Sequence, residues 1–190
     1  MVLPYWLADT DTEGRLPVIL DPGLTFGTGA HPSTQMVMQT MEQLRPRHCL
    51  DLGSGSGILS IAALRLGAES AIGVDIDPKA EDMARQNAAY NGYGAPEFTA
   101  LTGNVTADKA LMERLQENHY DLVLVNIVAD VIIALAPVLP RFLGEGSLLV
   151  CSGILDTRLD DVKQALAKAG LEVTGIRAKE EWRCVTAKRS

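Results

Sequence analysis

A glycine-rich turn between two apolar segments constrains the fold of this chain more than any other feature. The strand-like segment 48–52 runs into Gly53, and further glycines follow at positions 55 and 57. Asp75 ends a second apolar segment, 22 positions after Gly53. Glycine lets backbone N–H groups approach a ligand closely, and a carboxylate at the next strand end can accept both hydroxyl hydrogens of a ribose. The pattern predicts one half of a nucleotide-binding α/β sheet.

The spacing of the glycines distinguishes between two kinds of ligand. A dinucleotide-binding turn has the pattern Gly-x-Gly-x-x-Gly, whereas here the third glycine, Gly57, comes one position early and is followed by Ile58. Asp51 puts a carboxylate just before the turn, where it would repel a phosphate. A zwitterionic ligand with an ammonium group and a ribose suits this site better, and S-adenosylmethionine is such a ligand. The segment resembles the first motifs of class I methyltransferases.

Predicted strands and helices alternate along the chain. Strands are predicted at residues 18–20, 48–52, 71–76, 97–101, 120–126, 147–152, 171–176 and 182–187, and helices at 33–44, 58–66, 78–91, 108–117, 128–143 and 156–169. Prolines at 137 and 140 predict that the helix 128–143 is kinked or divided. The alternation predicts an α/β domain with a doubly wound, mostly parallel sheet and an antiparallel C-terminal edge. Ligands bind at the carboxyl ends of such strands, where we expect Gly53, Asp75 and Asn126 to meet.

Composition and charge exclude several classes of protein. The chain has 190 residues, 47% of them hydrophobic, which is enough for a sizeable core, and no apolar run is long enough to cross a bilayer. The net charge is −7 and no basic cluster exceeds the Lys188-Arg189 tail, so we expect no direct binding of nucleic acid. The cysteines at 49, 151 and 184 are predicted to be buried reduced thiols, which favours a cytoplasmic location without a bound metal.

A second unusual segment, from Leu20 to Thr34, carries a resemblance to a known family. It reads LDPGLTFGTGAHPST, and it resembles the ribosomal protein L-11 methyltransferase family (PrmA), whose signature includes a loop of the form DPG-x-x-FGTG-x-HP-[ST]-T. The agreement covers roughly residues 17–190 and continues through the glycine turn, Ile76-Asp77-Pro78, Asn126-Ile127, residues 152–155 and Glu181-Trp182. Ala30 departs from the family, in which this position is often Thr.

The resemblance implies a class I, Rossmann-like methyltransferase that uses S-adenosylmethionine. Its implied substrate partner is ribosomal protein L-11, methylated on lysine or N-terminal amines, with no membrane partner and no particular oligomeric state. A loop at 26–29 would close beside the methionine part of the cofactor, because its glycines suit a mobile lid. The expected cofactor-binding residues are Thr34, Gly53, Asp75, Asn126, Phe26, Gly27, Thr28 and Gly29, together with Asp51 and Gly55 of the glycine turn.

Asn126 is the one residue to which we assign a role in the reaction. Enzymes that methylate nucleobase amines have two prolines and an aromatic after this position, whereas this chain continues with Ile127 and Val128. Asn126 is therefore expected to orient the cofactor or the target amine, and the alternative is a turn cap at the strand end. His31 is expected to be a structural cap rather than a base. Trp6 and Trp182 could contact a cation, but packing is the favoured interpretation.

The resemblance also predicts how the chain is divided. Residues 1–16 are expected to be an N-terminal extension or linker, and residues 17–190 the methyltransferase domain. The family carries a separate N-terminal domain that recognises the substrate, so the chain is either an excised catalytic domain or a relative with another target. Alternative functions are methylation of another protein or a small molecule and, from a different class, a nucleotide-binding module or NAD-dependent oxidoreductase. The early third glycine argues against the last two.

Overall fold

The structure is a computed structural model that describes residues 1–21 and 29–190. Within these ranges the strands are β1 (Val2–Pro4), β2 (Val18–Leu20), β3 (His48–Leu52), β4 (Ser70–Asp75), β5 (Phe98–Thr102), β6 (Leu122–Asn126), β7 (Leu148–Leu155), β8 (Leu171–Lys179) and β9 (Trp182–Arg189). The α-helices are α1 (Pro32–Leu44), α2 (Ile58–Arg65), α3 (Pro78–Tyr90), α4 (Lys109–Gln116), α5 (Ala129–Leu135) and α6 (Leu159–Lys168).

One large sheet organises the described residues. Its seven strands lie in the order β5-β4-β3-β6-β7-β9-β8. The strands from β5 to β7 are parallel, and β9 is antiparallel to both of its neighbours. The chain builds outward from β3 on one side and from β6 on the other, so the strand order reverses between β3 and β6. Such a switch point opens a crevice at the carboxyl ends of the strands, which is where α/β sheets bind ligands.

The sheet has a hydrophobic core on each face. Leu122 and Leu124 of β6 belong to the core that α1, α2 and α3 cover, whereas Val123 and Val125 belong to the core that α4, α5 and α6 cover. Successive side chains of a strand point to opposite faces, so a strand covered on both sides is apolar at every position. This explains why residues 122–125 form an uninterrupted apolar run, and it confirms the predicted doubly wound arrangement.

The first helix begins beside the switch point. His31 caps α1 with its side chain, which accepts a hydrogen bond from the Ser33 amide, and Pro32 occupies the first helical position. Met36, Val37 and Met41 are buried along one face of the helix. This local sequence places the first turn of α1, which contains Ser33 and Thr34, against the end of the sheet.

Of two C-terminal segments, one agrees with the sequence prediction and one differs from it. The helix predicted at 128–143 is divided into α5 and a short 3₁₀ turn at Leu139–Phe142, as the two prolines indicated. Strand β7 is longer than predicted and reaches Leu155, because Ile154 and Leu155 pair with β9 beyond an irregularity in the register. A prediction from local composition does not include this pairing with a strand that lies about 30 residues later.

The N-terminal residues contribute a strand that the sequence analysis missed. Strand β1 pairs in parallel with β2, although it lies within the segment expected to be an extension. Tyr5 stacks on Tyr90 at the end of α3, with 5.2 Å between the ring centroids. Trp6 is 60% exposed and meets the Tyr5 ring edge-on, which places it in a surface aromatic pair.

The cysteines are buried and free, as predicted. Burial raises the pKa of each thiol, that of Cys184 to about 11. Cys151 and Cys184 belong to the cores on opposite faces of the sheet. In the part of the chain that the structure describes, no helix is long and apolar enough to cross a membrane.

Candidate functional site

The glycine turn and Asp75 meet at the carboxyl ends of β3 and β4. The amides of Gly53 and Ser54 donate to the Val74 carbonyl oxygen at 2.8 and 3.1 Å, and the Gly55 amide donates to Asp75 Oδ2 at 2.9 Å. Gly53 and Gly55 have φ values of +75° and +51°, a left-handed conformation that other L-residues rarely adopt. The glycines therefore permit the backbone conformation of the turn, and the Gly55 amide of this turn holds the Asp75 carboxylate.

Asp75 is held on both of its oxygen atoms. In addition to the Gly55 bond at Oδ2, Oδ1 accepts the Asp77 amide at 3.0 Å. A carboxylate oxygen has two lone pairs, so each oxygen keeps the capacity to accept one further hydrogen bond. The side chain is partly exposed, and the next residue, Ile76, is 74% exposed. This edge thus offers two acceptors for neighbouring hydroxyls beside an apolar surface.

The end of β5 completes this side of the site and was missed by the sequence analysis. The Gly103 amide donates to the Asp75 carbonyl oxygen at 2.8 Å, which brings the turn after β5 next to Asp75. Asn104 follows and accepts hydrogen bonds from the amide and the hydroxyl of Thr106. The parallel pairing of β4 with β5 could have indicated this neighbour, because parallel strands end at the same edge.

Asp51 lies beneath the glycine turn. It is 1% exposed, and its Oδ2 accepts hydrogen bonds from the Ser60 amide at 3.2 Å and the Ser60 hydroxyl at 2.9 Å. A carboxylate in this position satisfies a free amide at the start of α2. The side chain therefore joins β3 to the first turn of α2, and its predicted contact with a cofactor stays a prediction. Burial raises the pKa of Asp51 to about 7 against the opposing Ser60 hydrogen bonds, and the charge of Asp75 adds to the increase.

The raised pKa of Asp51 makes the stability of the fold depend on pH. The folded chain holds this proton up to about pH 7, whereas the unfolded chain releases it near pH 3.8. The free energy of unfolding should therefore fall as the pH rises between these two values. Asparagine does not titrate, so the variant escapes this loss. We expect the change in the free energy of unfolding caused by Asp51→Asn to be more stabilising at pH 8 than at pH 4.5, by on the order of 1–4 kcal/mol. Urea unfolding at the two pH values measures this, and an equal effect at both would contradict it.

Asn126 ends β6 on the other side of the switch point. Its Nδ2 donates to the Thr34 hydroxyl at 3.1 Å, and Thr34 is 3% exposed in the first turn of α1. The amide oxygen Oδ1 is buried and has no hydrogen-bond partner among the described residues. A buried acceptor without a partner costs about 1–3 kcal/mol, which makes this atom a strong candidate to receive an N–H or O–H group. The structure thus brings Thr34 and Asn126 together, and it gives the amide a defined orientation.

The predicted structural role of His31 is confirmed. Its Nδ1 accepts a hydrogen bond from the Ser33 amide at 3.3 Å and lies 2.7 Å from the Ser33 hydroxyl oxygen. The ring packs edge-on against Trp182, with 4.6 Å between the centroids. Ser152 of β7 donates to the Ser33 carbonyl oxygen at 3.1 Å and fastens the same turn to the sheet. These contacts hold the helix end that carries Thr34.

The predicted closing loop can be described only at its last residue. Phe26, Gly27 and Thr28 lie outside the described residues, so their role stays a prediction. Gly29 has φ +81°, and a Cβ built on it would lie 2.7 Å from Val2 Cγ2. Gly29 therefore packs closely against β1. No group of three or more His, Cys, Asp or Glu side chains in residues 1–21 and 29–190 could hold a metal ion.

Comparisons with known proteins identify relatives of this chain. The family model described as Ribosomal protein L11 methyltransferase (PrmA) matches residues 1–190. The Ribosomal protein L11 methyltransferase of Agathobacter rectalis is 37% identical over 195 residues, which cover 100% of this chain and 60% of the relative. That of Teredinibacter turnerae is 38% identical over 190 residues, or 99% of this chain and 60% of the relative. The chain thus spans about 60% of the length of the curated relatives it matches.

A solved structure shows the same architecture. The ribosomal protein L11 methylase of Lactobacillus delbrueckii subsp. bulgaricus superposes with a TM-score of 0.86 at 31% identity, over 99% of this chain and 93% of that chain. The predicted class I methyltransferase fold is therefore confirmed, and the match of the family model begins at residue 1 rather than at about 17. From the matched motifs, the switch-point site and these relatives together, we conclude that the chain belongs to the ribosomal protein L11 methyltransferase (PrmA) family.

Proposed function

We propose that this chain is an S-adenosylmethionine-dependent N-methyltransferase that methylates lysine or N-terminal amines of ribosomal protein L11. The observation that carries the proposal is the buried Oδ1 of Asn126 at the switch point, which has no hydrogen-bond partner in residues 1–21 and 29–190 and belongs to an amide oriented by Thr34. An amine N–H is a donor of the kind that this acceptor requires. The family names of the relatives support the choice of substrate, and a cytoplasmic location forms part of the same proposal.

The residues of the site fit S-adenosylmethionine. The two oxygens of Asp75 can each accept a ribose hydroxyl while they keep their bonds to Gly55 and Asp77. The exposed side chain of Ile76 offers an apolar surface for a flat ring. The glycines leave room for the backbone of the turn to approach the ligand. When bound, S-adenosylmethionine supplies a methyl group on a positively charged sulfur, which is reactive toward a neutral amine.

The contribution of the protein is to select and orient the neutral amine. At pH 7, deprotonation of a lysine of pKa 10.4 costs about 4.6 kcal/mol, and removing the amine from water reduces that cost because the charged form loses its solvation. Asn126 Oδ1 would accept one N–H of the amine, and the bond from Nδ2 to Thr34 would prevent the amide from rotating. Orientation of this kind can supply most of the rate, since a well-placed reactant gains several kcal/mol.

The proposal also assigns a role to each segment of the chain. We assign the methyltransferase domain to residues 17–190 and treat residues 1–16 as an extension, which the pairing of β1 with β2 attaches to the domain. Closure of residues 26–29 over the methionine part of the cofactor is likewise proposed from the family motif. Methylation of a different protein or of a small molecule is the alternative that an assay with L11 excludes.

Thermal unfolding with three ligands tests the cofactor assignment. A ligand at about 100 times its dissociation constant stabilises the folded state by about 2.7 kcal/mol, which for a chain of this length raises the Tm by about 5–10 °C. We expect S-adenosylmethionine and S-adenosylhomocysteine to raise the Tm and NAD to leave it unchanged. Transfer of a labelled methyl group to purified L11 then tests the substrate. Stabilisation by NAD alone would support an oxidoreductase instead.

A further inference from the structure

Ile127, the residue after Asn126, is held between Gly153 of β7 and Gly53 of the turn after β3. A Cβ built on Gly153 of β7 would lie 2.6 Å from the Ile127 carbonyl oxygen and 3.0 Å from its carbonyl carbon. On the other side, a Cβ built on Gly53 would lie 2.6 Å from Ile127 Cγ2. Real Cβ atoms do not approach other heavy atoms this closely, so a side chain at either glycine would displace Ile127.

The contact at Gly153 involves the backbone of Ile127 and cannot be relieved by a change of rotamer. The Ile127 amide donates to the Ser152 carbonyl oxygen at 3.1 Å, which ties the same peptide to β7. Gly153 itself has φ +80° and lies at the irregularity between Cys151 and Ile154 where β7 changes its register with β9. A β-bulge of this type re-aims the neighbouring backbone and is common next to active sites.

The position of this peptide determines where the Asn126 side chain points. Asn126 pairs with Ser152 in the sheet, so its backbone and the Ile127 peptide are both set by β7. We propose that Gly153 is a positioning residue for methyl transfer: because it has no side chain, the Ile127 peptide lies against β7 and the Asn126 amide oxygen is aimed at the target amine. The inference rests on the proposed function, and it assigns to Gly153 a role that acts through Asn126.

Gly153→Ala tests this, with Gly170→Ala as the matched control. Gly170 has φ +78°, close to the +80° of Gly153, but a Cβ there would meet no atom of the described residues within 4 Å. The control therefore carries the same backbone strain without the collision. We expect kcat for methylation of L11 to fall about 10- to 100-fold in G153A and to stay within about twofold of wild type in G170A, because misplacement by about 1 Å can cost about 100-fold in rate. The affinity for S-adenosylmethionine, measured by calorimetry, should stay within about threefold in both variants.

A double-mutant cycle with Asn126→Ala separates positioning from general damage to the fold. If Gly153 acts through Asn126, the G153A change should lower kcat by less than about twofold in the N126A background, because the group that it positions is already absent. A purely structural effect would lower kcat by the same factor in both backgrounds, and that result would overturn the inference.

A substitute variant and the activity of the wild type complete the experiment. If G153A does not fold, Ile127→Ala replaces it, because removal of the side chain that packs on Gly53 loosens the same peptide without a collision. We expect kcat of I127A to fall about fivefold or more, and this drop to vanish in the N126A background. An unchanged kcat would overturn the inference. The wild-type chain reports on the proposed function. An active wild type with G153A as fast as G170A overturns only the role of Gly153, whereas a wild type that stays inactive on L11 even when a family N-terminal domain is fused ahead of Met1 overturns both.

Discussion

Asn126→Ala is expected to lower kcat for methylation of L11 by about 100-fold. The substitution removes the buried Oδ1 acceptor, so the target amine loses the group that orients it and its reactive encounters become rare. The affinity for S-adenosylmethionine should fall by less than about tenfold, because Asp75 and the glycine turn are untouched. Steady-state kinetics with purified L11, together with calorimetry for the cofactor, separate the two effects.

Two variants sharpen this prediction. Thr34→Val keeps the shape of the side chain but removes the hydroxyl that accepts from Asn126 Nδ2, so the amide can rotate and kcat should fall, though by less than in the alanine variant. Asn118→Ala serves as the control, since Asn118 is exposed just beyond the end of α4 and its side chain donates to the Arg114 carbonyl oxygen. Equal turnover of wild type and N126A would show that the amine is oriented by other groups.

Asp75→Ala is expected to raise the dissociation constant for S-adenosylmethionine about 10- to 150-fold. This corresponds to the loss of about 1.5–3 kcal/mol from charge-assisted hydrogen bonds to the two ribose hydroxyls. The substitution also removes the acceptor of the Gly55 and Asp77 amides, so part of the loss would come from a less ordered turn. Isothermal calorimetry with the wild type and the variant measures the change directly.

Asp77→Ala is the matched control for this prediction. Asp77 lies two residues further on and caps α3 by accepting the Lys79 amide at 2.9 Å. Its replacement should cost about 1 kcal/mol of stability through the lost cap and leave the affinity for the cofactor within about twofold. Asp77 lies beyond β4, which ends at Asp75. Equal affinities of wild type and D75A would show that the ribose binds elsewhere.

Much of the architecture could be predicted from the sequence because it depends on local patterns. The apolar run at 122–125 predicted a strand covered on both faces, and the prolines at 137 and 140 predicted the division of the helix after it. The glycine turn and Asp75 were correctly placed at one edge of the sheet, because parallel strands separated by helices end on the same side.

The parts that could not be predicted depend on particular contacts between distant elements. Strand β1 was missed because three residues carry no periodicity, and its pairing with β2 is what defines it. The extension of β7 to Leu155 depends on β9. The burial of Asp51 against Ser60 follows only from the way α2 packs on β3.

The sequence by itself determined the fold family, the switch point and the chemical types of the residues that meet there, because strand and helix spacing and the family motifs are local properties of the chain. Only the tertiary structure decided that Thr34, 92 positions before Asn126, orients the amide so that its oxygen has no hydrogen-bond partner in the part of the chain that the structure describes. It also decided that the Ile127 peptide lies so close to Gly153 that a side chain there would collide with it. Such contacts depend on distances of an ångström or less between elements that fold together from far apart in the sequence, and no periodicity within one element encodes those distances.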